Sequence, residues 1–291
     1  MSKMSPRLHS ITEVLHVVPD IAAMASAYQE WLGYRSIEHG TVSEREADEW
    51  QAPAMAGRRS ATLAPASGEN CQLRFVESVS AAGYRALTTY GWTATEFTVA
   101  EVDRLAARLA DSPFEIIGPP KSLTRFPMIR AMQAIGPAGE CLYFTQIGEG
   151  SGLDLAAARS FVGRVFIVVA AGLDVNAMFA PYAGFGNVVD PPVATPVTVI
   201  SSANGLPLDT LHPHGLVKIG HGTMIELDGY PEVAGPRTVI PGELPPGMAM
   251  VTFATTDDGS RARLVRGSAG ELIRFVPASS LNASSSSEVS R

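Results

Sequence analysis

The stretch ITEVLHVVPDIAAMASAYQEWLGY, residues 11–34, decides the fold. Its first half is short and β-branched and ends at Pro19-Asp20, so it reads as a strand whose closing aspartate caps a helix. In its second half Ile21, Met24, Tyr28 and Leu32 recur at helical spacing, and Gly33 supplies a C-terminal cap. Three strand-like pieces follow: RSIEHGTVS (35–43), RRSATLAPA (58–66) and NCQLRFVES (70–78). The unit is a strand, a helix and three strands.

That unit returns. GWTATEFTVA (91–100) runs into the helical EVDRLAARLAD (101–111), followed by FEIIGPP (114–120), MIRAMQAIG (128–136) and ECLYFTQI (140–147). A third copy begins with GRVFIVVAAG (163–172) and the helical LDVNAMFAPYAGFG (173–186). Its remaining strands are PVTVISS (196–202), HGLVKIG (214–220) and TMIELDGY (223–230). A fourth, shorter copy has MAMVTFATTD (248–257), a stub DGSRARLV (258–265) and GELIRFVP (270–277). A repeat of roughly 60–75 residues dictates the architecture before any local detail does.

The composition sets outer limits. Hydrophobic residues make up 46% of the 291 and charged ones 18%, which is a folded chain with large cores. With 22 basic and 29 acidic side chains, a net charge of −7 and no basic run, neither nucleic acid nor a membrane surface is expected as a partner. Two distant thiols, Cys71 and Cys141, suit a reducing compartment. No signal-like apolar stretch opens the chain and no apolar run is long enough to span a bilayer, so the expected location is the cytoplasm.

Four strand-helix-strand-strand-strand copies resemble the vicinal oxygen chelate superfamily, the group of glyoxalase I, extradiol ring-cleaving dioxygenases and bleomycin-resistance proteins. The residues carrying the resemblance are those of 11–34 with FTVAEVDRLAARLA, IGPAGECLYFTQI, GTMIELDGY and SAGELIRFVP, spanning roughly residues 9–277. The resemblance implies an α+β fold of four βαβββ-type modules, the fourth abbreviated, paired into two half-barrel domains. The expected division is a flexible terminus (1–8), a first domain (9–148), a linker (149–161), a second domain (162–278) and a Ser-rich disordered tail (279–291).

In such a family metal ligands come from the first and last strands of the modules. Here the slots of the first domain fall on Glu13, Arg74, Ala94 (or Thr95) and Tyr143, and those of the second on Arg164, Glu226, Met250 and Arg274. Guanidinium groups cannot bind a divalent cation, so the leading expectation is chemistry without a cofactor. It is lyase, isomerase or hydratase work on an aromatic or ring-derived carboxylated compound. Glu226, Glu13 and Tyr143 would be catalytic, and Arg164, Arg274, Lys218, Arg74 and Gln133 would hold an anionic substrate.

Two alternatives stay open. The first is a metal-dependent dioxygenase or glyoxalase-like enzyme with Fe, Mn or Zn on His212, His214, His221 and Glu226. If Gly220–Gly222 forms a three-residue turn, Leu216 lies opposite Glu226, and His214 and Lys218 share its face; a two-residue turn sends His214 outward. The second is a binding protein without catalysis. His16, three positions from Glu13, falls on the helix-facing side and reads as a core residue. Exposed edge strands leave a homo-oligomer as an expectation.

Overall fold

The computed structural model describes residues 8–151, 153–183, 185, 190–256 and 263–281. The first module comprises β1 (Leu8–Val18), α1 (Ile21–Leu32), β2 (Arg35–Thr41), α2 (Glu44–Glu49), β3 (Arg59–Ala64) and β4 (Gln72–Glu77). The second has β5 (Gly91–Val99), α3 (Val102–Leu109), β6 (Glu115–Ser122), β7 (Ile129–Ile135) and β8 (Cys141–Ile147). In the third are β9 (Val162–Gly172), α4 (Val175–Met178), α5 (Ala180–Ala183), β10 (Val193–Pro196), α6 (Thr198–Ala203), β11 (Leu211–Ile219) and β12 (Thr223–Gly229). The fourth holds β13 (Gly247–Thr255), β14 (Arg263–Arg266) and β15 (Leu272–Pro277). Residues 1–7, most of the stub at 258–265 and the tail 282–291 lie outside the described residues.

Helix α1 is built as its sequence dictates. The Asp20 carboxylate accepts from the amides of Ala22 and Ala23, and Gly33, at φ 73°, ends the helix in the left-handed conformation. Ile21, Met24, Tyr28 and Leu32 form its buried stripe.

The modules pair differently from the expected order. One curled sheet of seven strands runs β14-β15-β13-β1-β4-β3-β2, joining the first module to the fourth. The other, of eight strands, runs β10-β11-β12-β9-β5-β8-β7-β6, joining the second to the third. The seams are the antiparallel pairs β1–β13 and β5–β9. Neither sheet therefore coincides with the division at 148/162. Alternation along a strand states which face a residue occupies but not which strand lies beside it, so consecutive pairing was an assumption that periodicity could not test. Consecutive modules are also tied, among other contacts, by a tyrosine–glutamate bond in each pair. Tyr28 of α1 donates to Glu140 (3.0 Å) in the turn before β8, and Tyr182 of α5 donates to Glu271 (3.5 Å) in the turn before β15.

One large core fills the space between the convex faces of both sheets and helices α1 and α3, with Trp92, Phe97, Phe144 and Phe253 fully buried. His16 belongs to this interior: its Nε2 lies 3.3 Å from the Thr95 hydroxyl, and burial lowers its pKa to about 3. Each concave face has its own smaller cluster. That of the seven-stranded sheet contains Leu15, Val17, Trp50, Met55, Val76 and Met250. That of the eight-stranded sheet contains Ala94, Tyr143, Val169, Val199, Ile200 and Met224.

Two helices depart from the sequence reading, and each covers a cup. Residues 196–202, expected as a strand, are mostly α6: Val199 and Ile200 are buried against the eight-stranded face, so packing overrode the β preference of a Val/Thr/Ile run. Helix α2 arose where only a connection was expected. A reciprocal capping box between Ser43 and Glu46 starts it, and Ala47 and Trp50 anchor it over the seven-stranded cup.

Candidate functional site

The β11–β12 hairpin sets the geometry of the eight-stranded cup. Its turn has the three residues 220–222, with His221 at φ 59° and Gly222 at φ 66°. Leu216 lies opposite Glu226, Lys218 opposite Met224, and His214 opposite Asp228. Period-two alternation then sends His214, Glu226 and Asp228 to the same concave face. One ligand-type atom from each of the three lies within 4.8 Å of the others. Asp228 is only 2% exposed, while His214 and Glu226 are half-buried and reachable from solvent. His214 Nδ1 and Asp228 Oδ1 are buried and have no hydrogen-bond partner among the described residues.

A third carboxyl group approaches from β5. Glu96 is buried and accepts a 2.5 Å hydrogen bond from the Thr145 hydroxyl on β8. Burial, reinforced by the charge of Glu226, pushes its pKa up to about 8. Burial also raises Glu226, and it raises Asp228 well above the usual carboxylate range, helped by Glu226 beside it. The Glu226 and Asp228 carboxyl groups lie close enough to titrate as a pair. Among the described residues His214 is the one basic group that acts on these acids, lowering Glu226. A carboxyl cluster of this kind, two of its three acids buried, is satisfied either by retained protons or by a bound cation. Nitrogen plus carboxylate oxygen is a donor set suited to Mn, Fe or Zn. The residues present fit a divalent ion.

The seven-stranded cup is built on the opposite principle. Glu13, Arg74, Met250 and Arg274 all lie on its strands, with Thr252 within 3.4 Å of Glu13. Helix α2 brings in two acids. Glu46 pairs with Arg74 at 2.6 Å and Glu49 with Arg274 at 3.2 Å, and Trp50 stacks over the Arg74 guanidinium. Burial works to raise Glu46, but the bond from Arg74 and those from Ser43 bring it down to about 2. Burial raises Glu13 despite both arginines. Trp50 and Met55 are packed over the floor, so this cup is filled by its own chain.

These placements correct several expectations. Glu226, Arg164 and Arg274 do not share a cup. Arg274 is in the other sheet, and Arg164 pairs with Glu69 at 3.7 Å and donates to the His221 carbonyl. Glu13 and Tyr143, both expected as catalytic residues of the first domain, are likewise in different sheets; Tyr143 and its neighbour Gln133 line the eight-stranded side. The three histidines separate. His214 reaches Glu226, His212 is buried and bonded to Ser201 at 2.9 Å, and His221 turns away to His9, Nε2 to Nε2 at 2.9 Å. Lys218 has the expected face, and its ammonium pairs with Asp190 at 3.1 Å.

Sequence reasoning passed over Asp228 and Glu96. Asp228 stands two residues after Glu226 and so had to share its face; that signal was available in IELDG. Glu96 lies two residues after Ala94, on the same face of β5, but its nearness to Glu226 depends on the β5–β9 seam.

No protein-family model matches the chain, and none of the curated proteins does. Solved structures do. Glyoxalase I from Zea mays superposes with a TM-score of 0.59 at 13% identity, covering 96% of this chain and 95% of that one. A putative dioxygenase from Bacillus subtilis gives 0.60 at 12% identity, covering 92% and 85%. The chain has the two-domain vicinal oxygen chelate fold. Within this fold the solved relatives are glyoxalase- and dioxygenase-type proteins, and at these identities the likeness is one of architecture. Among the described residues no helix is long and apolar enough to cross a membrane.

Proposed function

We propose that this chain is a metal-dependent small-molecule enzyme whose reaction takes place in the eight-stranded cup, on a divalent ion held by His214, Glu226 and Asp228. The observation that carries the reading is the convergence of these three side chains within 4.8 Å, with His214 Nδ1 and Asp228 Oδ1 otherwise unpartnered. The cofactor-free version needs arginines beside Glu226, and both candidates are engaged elsewhere.

A divalent ion there supplies a Lewis acid to a substrate oxygen. The protein's own residues do the rest. Tyr143, whose hydroxyl burial keeps protonated, offers an O–H donor on the same face. Glu96, fixed by Thr145, is the carboxyl that exchanges a proton with the bound substrate. Helix α6 and Tyr230, which bonds Thr93 at 3.0 Å, wall the cup and limit water.

The test is metal content. Purified protein stripped by chelator and reloaded is expected to retain one Mn, Fe or Zn ion per chain by elemental analysis. His214→Ala and Glu226→Gln are expected to lose it while keeping the wild-type circular dichroism. A wild-type chain that retains none of the three ions at micromolar concentration overturns the reading.

A further inference from the structure

We propose that a cavity between α6 and residues 84–87 binds the organic body of the substrate, and that it takes a ring-bearing compound carrying a single negative charge. The proposal rests on the reading of the eight-stranded cup as the reaction site and adds the substrate class. The cavity has a volume of about 320 Å³, within the range of small-molecule pockets. Leu87, Ile117, Ile135 and Val199 give it apolar walls, and all four pack in the same cluster as Tyr143 and Met224 of the cup. The cavity thus borders the same apolar cluster as the eight-stranded cup.

The cavity is built, not left over from poor packing. Leu87 sits at φ 66°, a left-handed conformation that is an outlier for a bulky residue, and is 2% exposed. Two bonds hold it there: Asn204, which caps α6, donates from Nδ2 to the Leu87 carbonyl at 2.9 Å, and the Ala86 amide donates to Gly139 at 3.2 Å. Strained backbone of this kind persists only where surrounding contacts over-determine it, and it concentrates at ligand sites. Here the strain places an apolar wall against α6.

Charge at the mouth narrows the class. Arg85 is exposed, lines the cavity and forms no ion pair among the described residues. Its planar guanidinium suits a carboxylate or another flat anionic group. Glu115 lines the same cavity without pairing with it and opposes a second negative charge. An apolar ring with one anionic substituent answers both features; a polyphosphate or a dianion does not.

The probe is 8-anilinonaphthalene-1-sulfonate, an aromatic monoanion, titrated into the full chain by fluorescence and calorimetry. One saturable site is expected. Arg85→Ala, at an exposed position, is expected to weaken it about three- to tenfold. Ala203→Trp, which fills the cavity, is expected to weaken it by at least about tenfold. Near-ultraviolet circular dichroism checks that each variant keeps native packing; if Ala203→Trp does not, Ser202→Trp at the exposed rim replaces it. Wild-type affinity in Arg85→Ala and in the folded tryptophan variant overturns the proposal, as does the absence of a saturable site. His214→Ala separates the two readings: it loses metal but keeps probe affinity, and the cavity variants keep metal but lose the probe.

Discussion

The two cups of this molecule stand on the same scaffold and solve their electrostatics in opposite ways. In the seven-stranded cup Arg74 and Arg274 each meet a carboxylate from α2, and Trp50 and Met55 close the space above Glu13. In the eight-stranded cup Glu226 and Asp228 meet one imidazole, with Glu96 beside Glu226, and among the described residues no guanidinium shifts any of the three acids. The first is complete as folded. The second is complete only with protons or a cation, and sites that the fold leaves unfinished are where ligands act.

The sharpest way to break this contrast is to remove one ligand. Glu226→Gln keeps the shape of the side chain but not its charge, and is expected to lower affinity for Mn or Zn by more than about a hundredfold, since even residues behind the ligands are worth 10–100-fold. Arg74→Ala in the other cup should leave affinity unchanged. Isothermal titration on both variants decides it; equal losses would mean that the cups are not separate sites.

Acidity comes next, because Glu96 of one cup and Glu46 of the other titrate in opposite directions. Glu96 has a folded pKa raised from 4.5 to about 8, so the folded state holds more protons across that interval. Its contribution is fully present below pH 4.5 and is lost as pH rises through 8. For metal-free protein the loss should be on the order of 2–4 kcal/mol, at 1.36 kcal/mol per pKa unit with allowance for coupling among the acids. Glu96→Gln should flatten that slope in urea unfolding. Glu46 is depressed from 4.5 to about 2, so its contribution is present above pH 4.5 and disappears as pH falls through 2. A Glu96→Gln protein with an unchanged profile from pH 5 to 8 would show that the eight-stranded acids are not proton-loaded.

The plug of the seven-stranded cup comes next in size. Arg74 is 15% and Glu46 26% exposed at the side chain, so the pair is only partly screened. Arg74→Ala leaves Glu46 beside half-buried Glu13 and removes the group on which Trp50 stacks. A loss of about 2 kcal/mol is expected, below the 3–5 kcal/mol of a fully buried pair. The urea midpoint should move with no change in bound metal. Arg74→Met, which retains packing under Trp50, should recover part of the loss.

What the sequence disclosed follows from what periodicity can encode. The capped helix at 21–32 and the four copies were legible because Asp20, Gly33 and the alternating strands are local signals. The His214–Glu226 face was conditionally legible, since a Gly-His-Gly turn of three residues fixes the register. The seams β1–β13 and β5–β9 were not, and with them went the grouping of every site residue. Helix α2 had a signal that went unused: Ser43 and Glu46 are spaced as a capping box. Helix α6 had none, because its Val and Ile are placed by the cup they cover.

The smallest expected effect tests the contrast from its weak side. Arg274 was expected to hold substrate, yet its bond runs to Glu49 on α2, with side chains 25% and 36% exposed. Solvent competes for both groups at that exposure, so Arg274→Ala should cost only about 0.5–1 kcal/mol. Metal content and binding of the naphthalenesulfonate probe should match wild type. The opposite result would be informative in a specific way. If Arg274→Ala left stability intact but abolished binding of either ligand, α2 would have to move aside in the working protein, with Glu46 and Glu49 standing in for an anion on two arginines. The seven-stranded cup would then be the reaction site, and the acids around His214 would hold their protons for stability alone.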